Sequence, residues 1–253
     1  MPTIPVALQL YTVRDMTETD FVGTVRQVAD MGYAGVEIAG NSGGLSPPEL
    51  KAFLADLGLR VAGSHISIDQ LESNLGGVIE DNLTLGNRWV VCPYMPDDRR
   101  QDADGWREVA AGMSEIGGKI REAGLQLCYH NHSFEFERFD GETGFDIFYG
   151  VADPDLVQAQ IDTYWVQHGG EDPAATIRRF TGRVPLVHLK DMTPGDDPTF
   201  TEVGNGILDF EAIFAASEEA GVEWYIVEQD TCAGPSIESA RTSIENLKSW
   251  GIA

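Results

Sequence analysis

Basic residues are scarce in this chain: 17 Lys and Arg stand against 41 Asp and Glu in 253 residues, a formal charge of −24. Such a surface repels phosphate backbones and anionic headgroups, which argues against nucleic acid and membranes as partners. It also disfavours a strongly anionic substrate unless local cations offset the field. Cysteine is scarcer still. Cys92, Cys128 and Cys232 form no C-x-x-C pair, and the first two sit in apolar runs, where cysteine behaves as a small hydrophobe. This fits a reducing compartment. No apolar run approaches the length of a membrane span. The opening Met1–Tyr11 has neither a basic n-region nor a small-residue cleavage site, so the expected location is cytoplasmic.

What is present is a regular alternation. Short β-rich runs occur at Val6–Leu10, Gly35–Ile38, Arg60–His65, Arg88–Cys92, Leu125–His130, Val157–Asp162, Val184–Lys190 and Trp224–Glu228. Helix-period segments lie between them, which is the pattern of a parallel α/β fold. Thr19–Met31 puts Phe21, Val25, Val28 and Ala29 on one face and stops at Gly32. Ser46, Pro47 and Glu49 form a capped helix start. Trp106–Ala123 and Phe210–Ala220 end in glycine, and Ser236–Trp250 supplies the last helix. No linker divides the series, so residues 1–253 read as one (β/α)8-barrel domain of ordinary size. A doubly wound open sheet is the alternative. It would usually carry a glycine fingerprint after strand one, where this chain has the glycine-free Gln9–Asp15.

Barrel enzymes place their chemistry at the C-terminal strand ends. Here those ends carry Gln9, Glu37, His65, His130 and His132 with Glu135, Asp162, His188 with Lys190, and Glu228. Four of the five histidines fall there; His168 lies beyond strand six. A lone histidine at a strand end is more often structural than a ligand. So many ionisable groups at one mouth would cost several kcal/mol each if buried without counter-charge, and a divalent cation is the simplest counter-charge. The expected ligands are Glu135, Asp162, His188 and Glu228, an oxygen-rich set that suits one Mn, Co or Mg ion. Lys190 lies on the strand face of His188 and should also point inward. Tyr11, Phe134 and Trp165 are candidates for an apolar wall, and Gly204-Asn205-Gly206 reads as a turn.

The segments YHNHSFEFE (129–137), QIDTYWVQHGG (160–170), VPLVHLKDM (184–192), FTEVGNGILDF (200–210) and WYIVEQD (224–230) resemble the sugar phosphate isomerase/epimerase family. LQLYTVRD (8–15) and GVEIAG (35–40) extend the resemblance to the start of the chain. It implies a xylose isomerase-like barrel with metal ligands at Glu135, Asp162, His188 and Glu228. Many members end strand five in Glu, where this chain has His130. Either Glu135 reaches back to the metal, or His130 or His132 replaces the carboxylate; Glu135 is the preferred expectation. The related barrel endonucleases use more histidines than this chain offers, and its charge is wrong for DNA.

The expected catalytic residues are His132, Glu135, Glu228 and Lys190, with Gln9, Glu37, His65 and His130 as substrate contacts. The substrate expected is a small sugar or cyclitol, and self-association into a homo-oligomer stays open. The first functional expectation is a keto-sugar isomerase or epimerase working through an enediolate. The second is a lyase or hydrolase of 3-keto-glycosides, or an inosose dehydratase, because the His-Asn-His run supplies bases. The third is a non-catalytic sugar-binding barrel.

Overall fold

A computed structural model describes residues 4–253; residues 1–3, the start of the N-terminal segment considered above, lie outside the described residues. Eight parallel strands form the barrel: β1 (Val6–Gln9), β2 (Gly35–Ala39), β3 (Arg60–His65), β4 (Trp89–Cys92), β5 (Gln126–His130), β6 (Val157–Asp162), β7 (Leu186–Leu189) and β8 (Trp224–Val227). Each strand pairs with its sequence neighbours, and β1 pairs with β8 to close the ring. All eight lie where the apolar runs placed them; Arg60–His65 and Val157–Asp162 keep the expected bounds, and the other six shift by at most two residues at an end. The principal helices are α1 (Phe21–Asp30), α2 (Pro47–Asp56), α3 (Leu75–Leu85), α4 (Ala103–Glu122), α5 (Gly144–Val151), α6 (Pro173–Arg179), α7 (Phe210–Ala220) and α8 (Ser236–Ser249). No helix among the described residues is long and apolar enough to cross a membrane.

Local chemistry sets the helix starts. Asp20 accepts from the Gly23 N–H at 2.8 Å and starts α1 later than the periodicity alone suggested. Asp102 does the same for Gly105 at 2.8 Å, which starts α4 three residues before Trp106. α7 ends on Gly221 at φ 82°, a left-handed position that glycine fills without Cβ strain.

The strand period of two separates two cores. One set of faces packs against the helices through residues such as Leu8, Val36, Val90, Leu127, Ile161 and Val187. The other set points into the barrel. Ala7, Ala62, Trp89, Val91, Cys128, Leu186, Trp224 and Ile226 form a separate apolar cluster there. Two residues further along the strands the inward positions become polar: Gln9, His130, His188 and Glu228 follow Ala7, Cys128, Leu186 and Ile226. A dry apolar floor thus carries a buried polar layer at the C-terminal mouth.

Candidate metal centre and mouth

Strand register brings the polar ends together. Asp162 pairs with His188 across β6 and β7, His130 with Gln160 across β5 and β6, and Gln9 with Glu37 across β1 and β2. One donor atom from each of His130, Asp162, His188 and Glu228 lies within 4.8 Å of all the others, and all four residues are buried. His188 Nδ1 stands 2.9 Å from Glu228 Oε2 and 4.0 Å from Asp162 Oδ2, and His130 Nε2 stands 3.8 Å from Asp162 Oδ2. Ligand atoms about 2.1 Å from an octahedral cation lie about 3.0 Å apart when adjacent and about 4.2 Å when opposite. The observed spacings fall in that range.

Asp162 divides its carboxylate. Oδ1 caps the short helix Thr163–His168 by accepting from the Trp165 N–H at 2.9 Å. Oδ2 is buried and accepts no hydrogen bond from the described residues. Its neighbour is Lys190 Nζ at 3.1 Å, which also lies 3.1 Å from Glu228 Oε2 and 3.0 Å from Asp230 Oδ2. Burial pushes the Asp162 carboxyl up to about 6 although Lys190 opposes it. Burial works against the Glu228 charge too, but Lys190 and His188 outweigh it and hold that carboxyl well below the usual range. For His188 burial opposes protonation, whereas Glu37 and Glu228 overcome it and raise the imidazole to about 10. A buried carboxylate oxygen that takes no hydrogen bond and is met only by the Lys190 ion pair, beside converging imidazole and carboxylate donors, is a set that fits a divalent cation.

Glu135, expected as the strand-five ligand, is not brought to this set. The 3-10 turn Phe134–Phe136 folds it back, where Oε1 accepts from the Tyr129 hydroxyl at 2.7 Å and Oε2 from the His132 backbone N–H at 2.8 Å. His130, at the strand end itself, stands in the fourth position. Burial pushes the Glu135 carboxyl up to about 7 despite the hydrogen bond from Tyr129. This has a consequence for stability. A carboxyl at about 7 folded and 4.5 unfolded keeps its proton in the native state while the unfolded chain releases it, so stability falls as pH rises between those values. Glu135→Gln removes that slope. Denaturant unfolding from pH 4 to 8 should show the variant gaining on wild type by as much as about 3 kcal/mol. Parallel pH profiles for the two proteins would contradict the assignment.

Gln9 and Glu37, expected to touch substrate, are fully buried beneath the metal set and hydrogen-bonded to each other at 2.7 Å. His65, His130, His132, Glu228 and Asp230 instead border a cavity of about 500 Å³ at the mouth. Tyr11 and Tyr94 rim it, 42% and 44% exposed. His132 stacks on Phe134 with ring centres 5.3 Å apart, and its buried Nδ1 has no partner among the described residues. Burial first, then Lys190, lowers its imidazole to about 3. Trp165 lies beside Lys190, whose Nζ is 5.5 Å from its ring centre. The Gly204–Gly206 turn sits away from this cavity: Gly204 and Gly206 N–H groups donate to Asp191 Oδ2 at 2.9 and 2.8 Å.

Two polar residues of the site, Gln160 and Asp230, went unremarked in the sequence, and Asn131 entered only as the middle of the His-Asn-His run. Gln160 lies two residues before Asp162 on β6, so strand alternation puts it on the same inward face, whereas Asp230 follows Glu228 past the end of β8. Asn131 accepts from the Asp162 backbone N–H at 3.1 Å and holds the strand-six end in place.

A family model described as xylose isomerase-like TIM barrel matches residues 25–250. The chain belongs to that family. An inosose dehydratase of Lacticaseibacillus casei is 28% identical over 267 aligned positions, covering 87% of this chain and 87% of that protein. Among solved structures, a sugar phosphate isomerase/epimerase from Parabacteroides distasonis superposes with a TM-score of 0.84 at 23% identity, over 96% of this chain and 97% of the other. The IOLI protein, solved with a zinc atom, gives 0.77 at 13% identity, over 98% of each chain. At these identities the structural likenesses speak for the fold alone.

Proposed function

We propose that residues 1–253 form one catalytic unit, a metal-dependent carbon–oxygen lyase that removes water from an inosose or, with the same groups, splits a 3-keto-glycoside. The observation that carries this reading is the withdrawal of Glu135. An epimerase working through two carboxylates needs a second one on the opposite face of the substrate from Glu228, and Glu135 is turned away to Tyr129 and His132. Apart from the proposed ligands, the mouth offers the imidazoles of His65 and His132 and the carboxylate of Asp230, which is ion-paired to the ammonium of Lys190 at 3.0 Å. His132 with Lys190 suits elimination, which needs one group to take a proton and another to give one.

When bound by His130, Asp162, His188 and Glu228, a divalent cation would polarise the ketone and stabilise charge developing on its oxygen. Two imidazoles in the set move the preference from Mg toward Mn, Co or Zn. His132, which borders the cavity with its Nδ1 unpartnered among the described residues, accepts the proton from the carbon beside the ketone. The electrons of that C–H bond form the new double bond as the neighbouring C–O bond breaks toward oxygen. Lys190 stays protonated because Asp162, Glu228 and Asp230 together outweigh its burial, and its Nζ gives the departing oxygen a proton. With an inosose the oxygen leaves as water. Tyr11 and Tyr94 offer ring faces to the substrate, and the cavity of about 500 Å³ is of the size that small-molecule sites commonly have.

The relationship to inosose dehydratases, which runs over most of both chains, supports this reading. A cytoplasmic location belongs to the same proposal, supported by Cys92 and Cys128 as buried free thiols. Glu228 at the mouth favours a second reading, a keto-sugar isomerase or epimerase with one carboxylate base. Incubation of the Mn-loaded protein with an inosose, and separately with a keto-hexose, in D2O distinguishes them by NMR. Loss of water from the inosose is expected. Deuterium incorporation with inversion or carbonyl migration, and no water loss, would transfer support to the isomerase. No change in either compound would leave a non-catalytic sugar-binding barrel.

A further inference from the structure

Beneath the metal set lies a single carboxylate that takes hydrogen bonds from several strands. Glu37 Oε2 accepts from Gln9 Nε2 at 2.7 Å and from His188 Nε2 at 2.6 Å, and His65 Nε2 lies 3.0 Å away. Glu37 Oε1 accepts from Gln160 Nε2 at 2.7 Å. The residue is fully buried, so these partners supply its hydrogen bonds. An ionised carboxylate has no hydrogen to give, and every group facing it must donate.

That constraint propagates outward in two branches. His188 must hold a hydrogen on Nε2, which leaves Nδ1 as the nitrogen aimed at Glu228 and Asp162. Gln160 must turn its amide nitrogen to Glu37, so its carbonyl Oε1 faces His130 Nδ1 at 3.0 Å and His65 Nε2 at 2.9 Å. A carbonyl only accepts, so His130 donates from Nδ1 and presents Nε2 to Asp162 at 3.8 Å.

The backbone makes room for this arrangement. Val36 pairs with Val61 but Glu37 pairs with Gly63, so Ala62 is the extra residue of a bulge in β3. The bulge sets a glycine opposite the carboxylate, and a Cβ at position 63 would stand 2.5 Å from Glu37 Oε1. Gly63 is needed for clearance.

We infer that Glu37 is a positioning residue that decides which imidazole nitrogens face the metal: Nδ1 of His188 directly, and Nε2 of His130 through Gln160. The inference rests on the metal reading above. Metal-bound histidines commonly donate their other N–H to such a partner, and losing it costs about 10–100-fold in metal affinity.

The test uses the full chain labelled with 15N-histidine and loaded with 113Cd. Cadmium–nitrogen couplings should reach one imidazole through Nδ1 and another through Nε2, with hydrogen on the opposite nitrogen of each ring. Glu37→Gln places donors against donors and should weaken cadmium binding about 10–100-fold. Gly63→Ala keeps the negative charge but displaces Oε1, so it should disturb the Nε2-bound imidazole and spare the Nδ1-bound one. Melting of the metal-free proteins separates lost folding from lost orientation: weaker binding at an unchanged metal-free melting temperature is the expected result. Should Glu37→Gln fail to fold, the wild-type couplings and Gly63→Ala still decide. Cadmium held by both imidazoles through the same kind of nitrogen overturns this inference alone. Wild-type protein that takes up no cadmium overturns the metal reading and this inference with it.

Discussion

His132→Gln should lower turnover of an inosose by at least about a hundredfold while the protein keeps its full metal content. The expectation follows from the division of labour at the mouth. The proposed ligands are His130, Asp162, His188 and Glu228, whose donor atoms converge without His132. His132 lies two residues beyond His130, past the end of β5, stacked on Phe134 and edge-on to Tyr94, and borders the cavity. Removing its imidazole takes away a proton acceptor and leaves the ligands untouched. General-base catalysis is typically worth about 10²–10⁴-fold, which sets the size of the loss. Rate and metal content should be measured on one preparation. Metal lost along with activity would make His132 a ligand. Survival of both would make it structural and strengthen the isomerase reading.

Asp162→Asn should weaken metal binding by more than about a hundredfold, beyond what loss of a supporting hydrogen bond costs. Oδ1 is spent on the Trp165 N–H, and an asparagine can keep that cap with its carbonyl. Its amide nitrogen then falls where Oδ2 stood. A donor in place of a charged acceptor cannot bind a cation and also faces Lys190, 3.1 Å from the Oδ2 position. The barrel core beneath is apolar and separate, so the variant should fold. Isothermal titration with Mn reads the affinity, and melting of the metal-free protein reads the fold. Wild-type affinity in a folded Asp162→Asn protein would reduce Asp162 to a helix cap.

The barrel was legible in the sequence because eight apolar runs separated by helical periods leave few other arrangements. Strand-end position was legible too, and the structure brings Asp162, His188 and Glu228 into one cluster. Depth was not. Gln9 and Glu37 lie near the ends of their strands, but Glu37 pairs with Gly63, two residues before His65, and both Gln9 and Glu37 are fully buried. Which level a strand residue reaches depends on its pairing register, which one strand's residues do not reveal. Glu135 escaped for another reason. It follows the strand by five residues, and whether that stretch reaches forward or folds back depends on the 3-10 turn at Phe134–Phe136 and on the Tyr129 hydroxyl behind it. Gln160, inside β6, was within reach of the alternation rule. Gln160 attracts little notice because an amide does no obvious chemistry, yet it links Glu37 to His130.

Anomalous diffraction at the manganese edge, from crystals of the Mn-loaded protein, tests the central claim most directly. The account predicts one strong peak per chain, about 2.0–2.3 Å from His130 Nε2, Asp162, His188 Nδ1 and Glu228. Glu135 should remain on Tyr129 and His132, as it is here. A peak bound by Glu135, or no peak in the barrel mouth, would contradict it.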